Sequence, residues 1–299
     1  MLDFSNSKIL IVGDVMLDKY YFGKVDRISP EAPVPIVNIQ KEESRLGGAS
    51  NVANNIVSLG GHSLLCGVIG HDLFGKEIER ISRHKNIDTF LLKTSSPTIT
   101  KARIIGGKQQ IVRVDYEDKS ELNADNKKLF RDTISRILPE YDILVISDYG
   151  KGLISEDLCR YLIKLAHKYD KKVIIDPKGK NWEKYSGADI VTPNVKELSD
   201  IVGYTVPNTD RAIEKAAREA ITNNHLTALL VTRSDKGMSL IGPIPPIHIP
   251  THSEEVFDVS GAGDTVVATL GLCLAAGFEI SEAMRTANIA AGIVVKKVG

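Results

Sequence analysis

From Asn123 to Thr232 the chain alternates between short apolar runs and longer amphipathic segments, and no other feature limits the possible fold as severely. The pattern predicts a helix to Leu138, strands over 143–147 and 173–176, a helix over 156–169, and a short strand at Ile190 and Val191. Helices over 195–202 and 210–223 and a strand over 228–232 continue it. Strands joined through helices lie parallel, and a parallel sheet needs helices on both faces. The same logic extends backwards. A β-branched run over 8–13 ends in Gly13-Asp14, at the strand end where open α/β sheets bind ligands. Gly47-Gly48-Ala49-Ser50-Asn51 opens a helix that Gly60-Gly61 closes, and a strand follows over 63–69. Two stretches interrupt the rhythm: 18–40, with Pro30, Pro33 and Pro35, and 97–115, with alternating runs around Gly106-Gly107. Both are predicted to be strands of a small accessory sheet, a lid beside the site. Edge-like strands near 243–250 and helices over 263–276 and 281–296 finish the chain. The expected fold class is α/β, with residues 1–299 forming one domain around a doubly wound, mostly parallel sheet that carries a β lid from two insertions.

Composition removes several functions. Basic and acidic residues both number 38, so no global field draws the chain to nucleic acid or an anionic membrane. No window approaches membrane-spanning length, and Met1-Leu2-Asp3-Phe4 lacks the basic start of a signal segment. Cys66, Cys159 and Cys273 sit in apolar runs at unrelated spacings, which fits buried thiols in a reducing, cytoplasmic setting. The seven histidines show no metal-ligand spacing; His62, His167 and His225 read as surface or packing residues.

Chemistry concentrates in Asp258-Val259-Ser260-Gly261-Ala262-Gly263-Asp264-Thr265, just before an apolar helix. Two glycines allow close backbone approach, and the free N–H groups of a helix start favour an anion. Asp264 at that mouth could take a proton from a hydroxyl attacking a phosphoryl group. A carboxylate beside a positive helix end is expected to stay ionised and be a weak base. The plainer reading is a glycine turn whose Asp only caps a helix. Neither a Gly-x-x-x-x-Gly-Lys-[Ser/Thr] loop nor a Gly-x-Gly-x-x-Gly after the first strand is present.

Several stretches together carry a resemblance. Asp258 to Thr265 resembles the second signature of the ribokinase-like (PfkB) carbohydrate kinases, and Gly47 to Ala53 with Ile69-Gly70-His71-Asp72-Leu73-Phe74-Gly75 resembles the first. Asn194-Val195-Lys196-Glu197 is similar to that family's Asn-x-x-Glu element, and Thr232-Arg233-Ser234-Asp235-Lys236-Gly237 to its nucleotide turn. Within the family, Ile11 to Asp18, Arg27 to Pro35, Ser147-Asp148-Tyr149-Gly150-Lys151-Gly152 and Asp176-Pro177-Lys178-Gly179 resemble the D-glycero-β-D-manno-heptose 7-phosphate kinases. That family phosphorylates the anomeric hydroxyl with ATP, towards ADP-heptose and lipopolysaccharide core.

The resemblance implies a ribokinase-like fold and roles for particular residues. Asp264 would be the catalytic base and Gly261, Ala262 and Gly263 the anion hole. Asp14, Gly48 and Asn51 would hold sugar hydroxyls; taken alone, Asp14 is a strand-end turn residue and Asn51 an exposed helical one. Asn194 and Glu197, three apart on one helix face, would order water around a Mg²⁺ on ATP, or would simply form a capping box. Thr232, Ser234, Gly237 and Asn288 would meet the nucleotide. A phosphorylated sugar also needs cations, for which Lys151, Lys178, Arg103 and Arg27 are the candidates, each a solvated charge if taken singly. ATP and Mg²⁺ are the implied cofactors and a sugar phosphate the implied partner; apart from the resemblance, apolar alternation on both faces of the lid strands favours pairing with a second subunit, so a homodimer through the lid is expected. Another ribokinase-like sugar or nucleoside kinase, and a non-catalytic sensor on the same fold, are the alternatives. The chain stops at Lys296-Lys297-Val298-Gly299, where the family runs on. Either it is cut from a longer, bifunctional protein with a nucleotidyltransferase half, or its adenine pocket is completed differently.

Overall fold

The computed structural model describes residues 2–251 and 261–296. Residues 258–260, which begin the expected anion loop, and 297–299 lie outside the described residues. The central sheet is built on β1 (Lys8–Gly13), whose odd and even residues face opposite sides. Ile9 and Ile11 join one buried cluster and Leu10 and Val12 the other, so the sheet divides the core into two layers. β1 pairs in parallel with β4 (His62–Gly70) on one side and with β8 (Ile143–Ser147) on the other. Beyond β4 lies β5 (Asp88–Thr94); beyond β8 lie β9 (Lys172–Asp176), β10 (Ile190–Val191) and β11 (Leu229–Thr232), all parallel. The antiparallel β12 (Met238–Ile241) and β13 (Ile247–Ile249) close that edge. The order β13-β12-β11-β10-β9-β8-β1-β4-β5 reverses direction between β1 and β8, which opens the ligand crevice of a doubly wound sheet above Gly13 and Ser147.

Helices cover both faces. α1 (Ala49–Ser58), α7 (Ala262–Ala275) and α8 (Ile280–Val294) lie on one face, and α3 (Ala124–Ile137), α4 (Glu156–Lys168) and α6 (Asp210–Asn224) on the other. α7 packs between α1, α8 and the sheet, as a helix apolar on all sides must. In its first turn Asp264 and Thr265 are buried, while Gly263 is exposed. α2 (Leu73–His84) and α5 (Val195–Val202) complete the set.

The lid is a four-stranded sheet in the order β3-β2-β6-β7. β2 (Val15–Ile28) and β3 (Pro35–Gly48) form a long hairpin, and β6 (Thr100–Gly106) and β7 (Gln109–Tyr116) a second one that joins it through a parallel β2–β6 pairing. The expected first insertion, 18–40, is too short. Residues 41–48 continue β3 because they pair with 15–22, and the polar run Lys41-Glu42-Glu43-Ser44-Arg45 conceals that strand in the sequence. Pro30 and Pro33 fall in the connection between the strands, and Pro35 is the first residue of β3, where no ladder N–H is lost.

Candidate active site

The chain leaves β1 at Asp14 and β8 at Asp148, so both carboxylates stand at the reversal of strand order. Asp14 is buried, and its Oδ2 accepts the N–H groups of Tyr149 at 2.9 Å and Lys151 at 3.1 Å, while Oδ1 accepts that of Leu153 at 3.4 Å. Burial pushes its carboxyl above the usual range, against those three bonds. Asp14 thus holds the turn that follows β8, close to the plainer reading of a strand-end residue. Gly48, the residue before α1, has φ +57, and a Cβ there would meet the Asp14 carbonyl oxygen at 2.5 Å. A side chain would be strained in conformation and blocked in space.

Asn51, one helical turn away, is not the exposed residue of the plainer reading. Its Nδ2 donates to Asp264 Oδ2 at 2.6 Å, across 213 residues of sequence. The other carboxylate oxygen, Oδ1, accepts the Tyr149 hydroxyl at 2.7 Å. Asp264 is 6% exposed, and desolvation raises its pKa, opposed by the Asn51 and Tyr149 hydrogen bonds. The sequence alone suggests that the helix end keeps it ionised and a weak base; in the structure burial is the larger effect and acts the other way. Gly261 precedes α7 at φ +77 and, among the described residues, no side chain caps the helix's first N–H groups, the groups that favour an anion. A Cβ on Gly263 would meet nothing within 4 Å, which places open space beside that turn.

The expected phosphate cations are mostly paired. Lys151 Nζ meets Glu117, which follows β7; Arg103 on β6 donates to Asp18 at 2.6 Å and stacks on Tyr20; Lys178 donates to Glu197 at 2.9 Å. Arg27 is exposed on the outer part of the lid hairpin, past Gly23, where β2 ceases to pair with β6. Beside Asp14 and Lys151 lies a cleft of about 620 Å³, walled by His71, Thr94, Ser96 and Asn123 among others. Lys101 on β6 was not legible as a site residue. It is half-buried, has no ion pair among the described residues, and its Nζ lies 5.8 Å from the centre of the Tyr149 ring. Burial lowers its pKa.

Asn194 and Glu197 form a capping box at the start of α5: Asn194 Oδ1 accepts the Glu197 N–H at 2.9 Å, and Glu197 Oε2 the Asn194 N–H at 3.1 Å. Thr232 ends β11 and bridges to Asn194. Ser234, at φ +53, and Gly237, at φ +77, shape the turn after β11. Asn288 is buried on α8 and donates to the Pro250 carbonyl at 2.7 Å. All four therefore lie on the β11 side of the sheet, removed from the lid hairpins.

Residues 6–299 match the model of the pfkB family carbohydrate kinases. The chain belongs to that family. Its enzyme class, an ATP-dependent sugar kinase, follows from the membership. It is 46% identical over 299 residues to the bifunctional protein HldE of Haemophilus influenzae, and 44% identical over 294 residues to HldE of Paramagnetospirillum magneticum. The match takes in 99% and 97% of this chain but 62% and 60% of those relatives, so the chain spans less than two thirds of their length. Among solved structures it resembles the tetrameric inhibited form of Escherichia coli phosphofructokinase-2, with a TM-score of 0.81 at 21% identity over 97% of this chain and 94% of that one. Arabidopsis thaliana ribokinase complexed with ribose and ATP superposes with a TM-score of 0.75 at 20% identity, over 98% of this chain and 94% of that one. These likenesses establish the ribokinase-like fold.

In this PfkB kinase the residue that sequence reasoning passed over is Tyr149. The motif Ser147-Asp148-Tyr149-Gly150 was visible, but its tyrosine reaches Asp264 across 115 residues. The signal that could have found it is a strand order, which the sequence pattern alone does not give: residues just after β8 fall at the switch point. Asp176, at the end of β9, was also passed over as a site group; burial raises its carboxyl well above the usual range, and the Asp264 charge adds to that.

Proposed function

We propose that this chain transfers the γ-phosphoryl group of ATP to the anomeric hydroxyl of D-glycero-β-D-manno-heptose 7-phosphate, forming the 1,7-bisphosphate on the route to ADP-heptose and lipopolysaccharide core. The observation that carries the chemistry is Asp264: a buried carboxylate in the first turn of a helix whose N–H groups have no side-chain cap, with both oxygens oriented by donors. The similarity to HldE, over 99% and 97% of this chain, with the motifs after β8 and β9, supports the substrate.

Asp264 takes the proton of the acceptor hydroxyl as the new O–P bond forms. The bond from the γ-phosphorus to its bridging oxygen breaks, and that oxygen leaves with the electron pair on ADP. In a loose transition state the base is needed late, and the main demand is for charge stabilisation, which the backbone N–H groups of Ala262 and Gly263 would give without reorganising. Asn51 would turn from Asp264 towards a sugar hydroxyl, and Gly48 would let the ring approach the backbone. Thr232, Ser234, Gly237 and Asn288 form the nucleotide side. Among the described residues no three metal-ligating side chains converge. Mg²⁺ would therefore be held chiefly by phosphates and water, with Asn194 and Glu197 ordering that water; when bound it neutralises charge on the transferred group. Lys151, Lys178 and Arg103 would exchange their carboxylate partners for the substrate phosphate, with Arg27 reaching it only if the lid folds inward. We place the enzyme in the cytoplasm as a homodimer formed through the lid; no helix among the described residues is long and apolar enough to cross a membrane.

The test is an ADP-release assay across heptose 7-phosphate, fructose 6-phosphate, ribose and adenosine. Heptose 7-phosphate is expected to be preferred, and turnover confined to the other three would overturn the substrate. Asp264→Asn is expected to lower kcat about 10³-fold while calorimetry still detects the sugar phosphate. Unchanged turnover would remove Asp264 from the mechanism.

A further inference from the structure

Tyr149 is fixed from three directions. Its N–H is held by Asp14, on β1. The next residue, Gly150, has φ +66 and donates its N–H to Asp148 Oδ1 at 2.7 Å. Asp148 Oδ2 in turn accepts the Tyr185 hydroxyl at 2.7 Å and meets Lys184. The ring lies against the half-buried Lys101 of the lid. What remains free on this side chain is one O–H, and it points at Asp264 Oδ1.

The geometry points to Tyr149 as a positioning residue that sets the orientation and the basicity of the Asp264 carboxylate through its single O–H···Oδ1 hydrogen bond. This rests on Asp264 being the base. A phenol donating to a carboxylate stabilises the ionised form and fixes the rotamer, and here the phenol keeps its proton. Burial, with the Asp264 and Asp176 charges nearby, drives Tyr149's own ionisation well above its ordinary value, so it stays protonated throughout the working range. With Oδ1 covered by Tyr149, the oxygen left to the acceptor hydroxyl is Oδ2, whose present partner is the movable amide of Asn51. The other charged groups acting on Asp264 are Asp18 of β2, which opposes ionisation, and Lys101 of β6, which favours it; Asp176 of β9 interacts with it as well. Lys101 thus bears on both Tyr149 and the base, which gives lid position a route to the reactivity of Asp264.

The experiment is the pH dependence of kcat/KM for the sugar phosphate, which reports groups of the free enzyme. Tyr149→Phe removes the O–H and leaves the main-chain bonds to Asp14 and Asp148 in place. Its acid limb is expected about one pH unit above that of the wild type, the loss of one hydrogen bond to a charged group. Site-specific 3,5-difluorotyrosine at 149, a stronger donor on the same ring, is expected to move the limb the other way. The opposed signs keep the result readable if the Phe variant folds poorly. A rate that falls by the same factor at every pH, with both limbs unmoved, would make Tyr149 a packing residue only and overturn the inference. Asp264→Asn separates the two proposals: if it remains active, the base assignment fails; if it is inactive while the limbs stay put, only the Tyr149 role fails.

Discussion

Asp264 places a titratable carboxyl where little solvent reaches it, and that has a consequence for stability as well as for rate. Burial holds its folded pKa above the ordinary range of an aspartate, against the hydrogen bonds from Asn51 and Tyr149. The folded state therefore binds this proton more tightly than the unfolded chain does. Unfolding releases it between those two values, so this group's contribution to stability falls as pH rises through the window and is lowest above the folded pKa. Asn at the same position removes the charge yet can still accept from Asn51 and donate to the Tyr149 oxygen. Asp264→Asn is thus expected to raise Tm at pH 7 by roughly 2–3 °C, the effect of ~1 kcal/mol on a chain of this size, while abolishing turnover. The difference should disappear when melting is followed below pH 4, near the unfolded value. A lower Tm at neutral pH would mean that the two hydrogen bonds outweigh the burial of the charge.

Whole elements show where sequence reading succeeds and where it stops. β1, β8, β9 and the helices α3, α4, α5 and α6 announce themselves because apolar period and length agree along a local stretch. α2, β5 and β12 were not predicted. β5 is an edge strand in which no residue is fully buried, and β12 is four residues long and directly follows the Gly237 turn, so neither has a period of its own to detect. The site splits in the same way. Gly48, Gly261 and Asp264 are legible because glycine and a carboxylate at a helix start mean something locally, whereas the Asp14–Tyr149–Asp264 series exists only once distant strand ends meet. α5 shows one motif serving two readings. Its capping box accounts for Asn194 and Glu197 without any metal. Glu197→Gln keeps a side chain able to cap, and the Lys178 pair it breaks is worth at most about 1 kcal/mol, so stability should hold within that amount. If the pair orders water for Mg²⁺, the Mg²⁺ concentration for half-maximal rate should rise several-fold in a titration at saturating ATP. An unchanged titration would leave these residues as a cap alone.

At the scale of the molecule, the body is sealed on both faces of its sheet and the lid is not. Every residue of β7 is exposed, and Val112, Val114 and Tyr116 alternate along it. Val25, Ile28, Val34 and Ile39 on the β2–β3 hairpin are exposed too. A strand edge with open N–H and C=O groups and apolar side chains is prone to pair with another chain, and β7 carries no proline to prevent it; its one irregularity is the register shift that skips Ile111, opposite Ile104 and Ile105. The two ion pairs that Lys19 and Lys41 make with Glu42 and Glu43 lie on the other hairpin, so they do not guard the β7 edge. A second copy of the same lid is the partner that such a surface fits with closed symmetry. The lid also supplies Asp18 and Lys101 to the neighbourhood of Asp264, with Arg103 holding Asp18, so a dimer formed through the lid would join assembly to chemistry. Sedimentation at micromolar concentration is expected to show a dimer. Replacing Val112 and Val114 together by Glu should give a monomer in which KM for the sugar phosphate rises more than kcat falls, because the lid strands lose their outer support while Asp264, on α7, keeps its place. A wild-type chain that sediments only as a monomer, or a monomeric double variant with unaltered KM, would separate the lid's exposed strands from its work at the site.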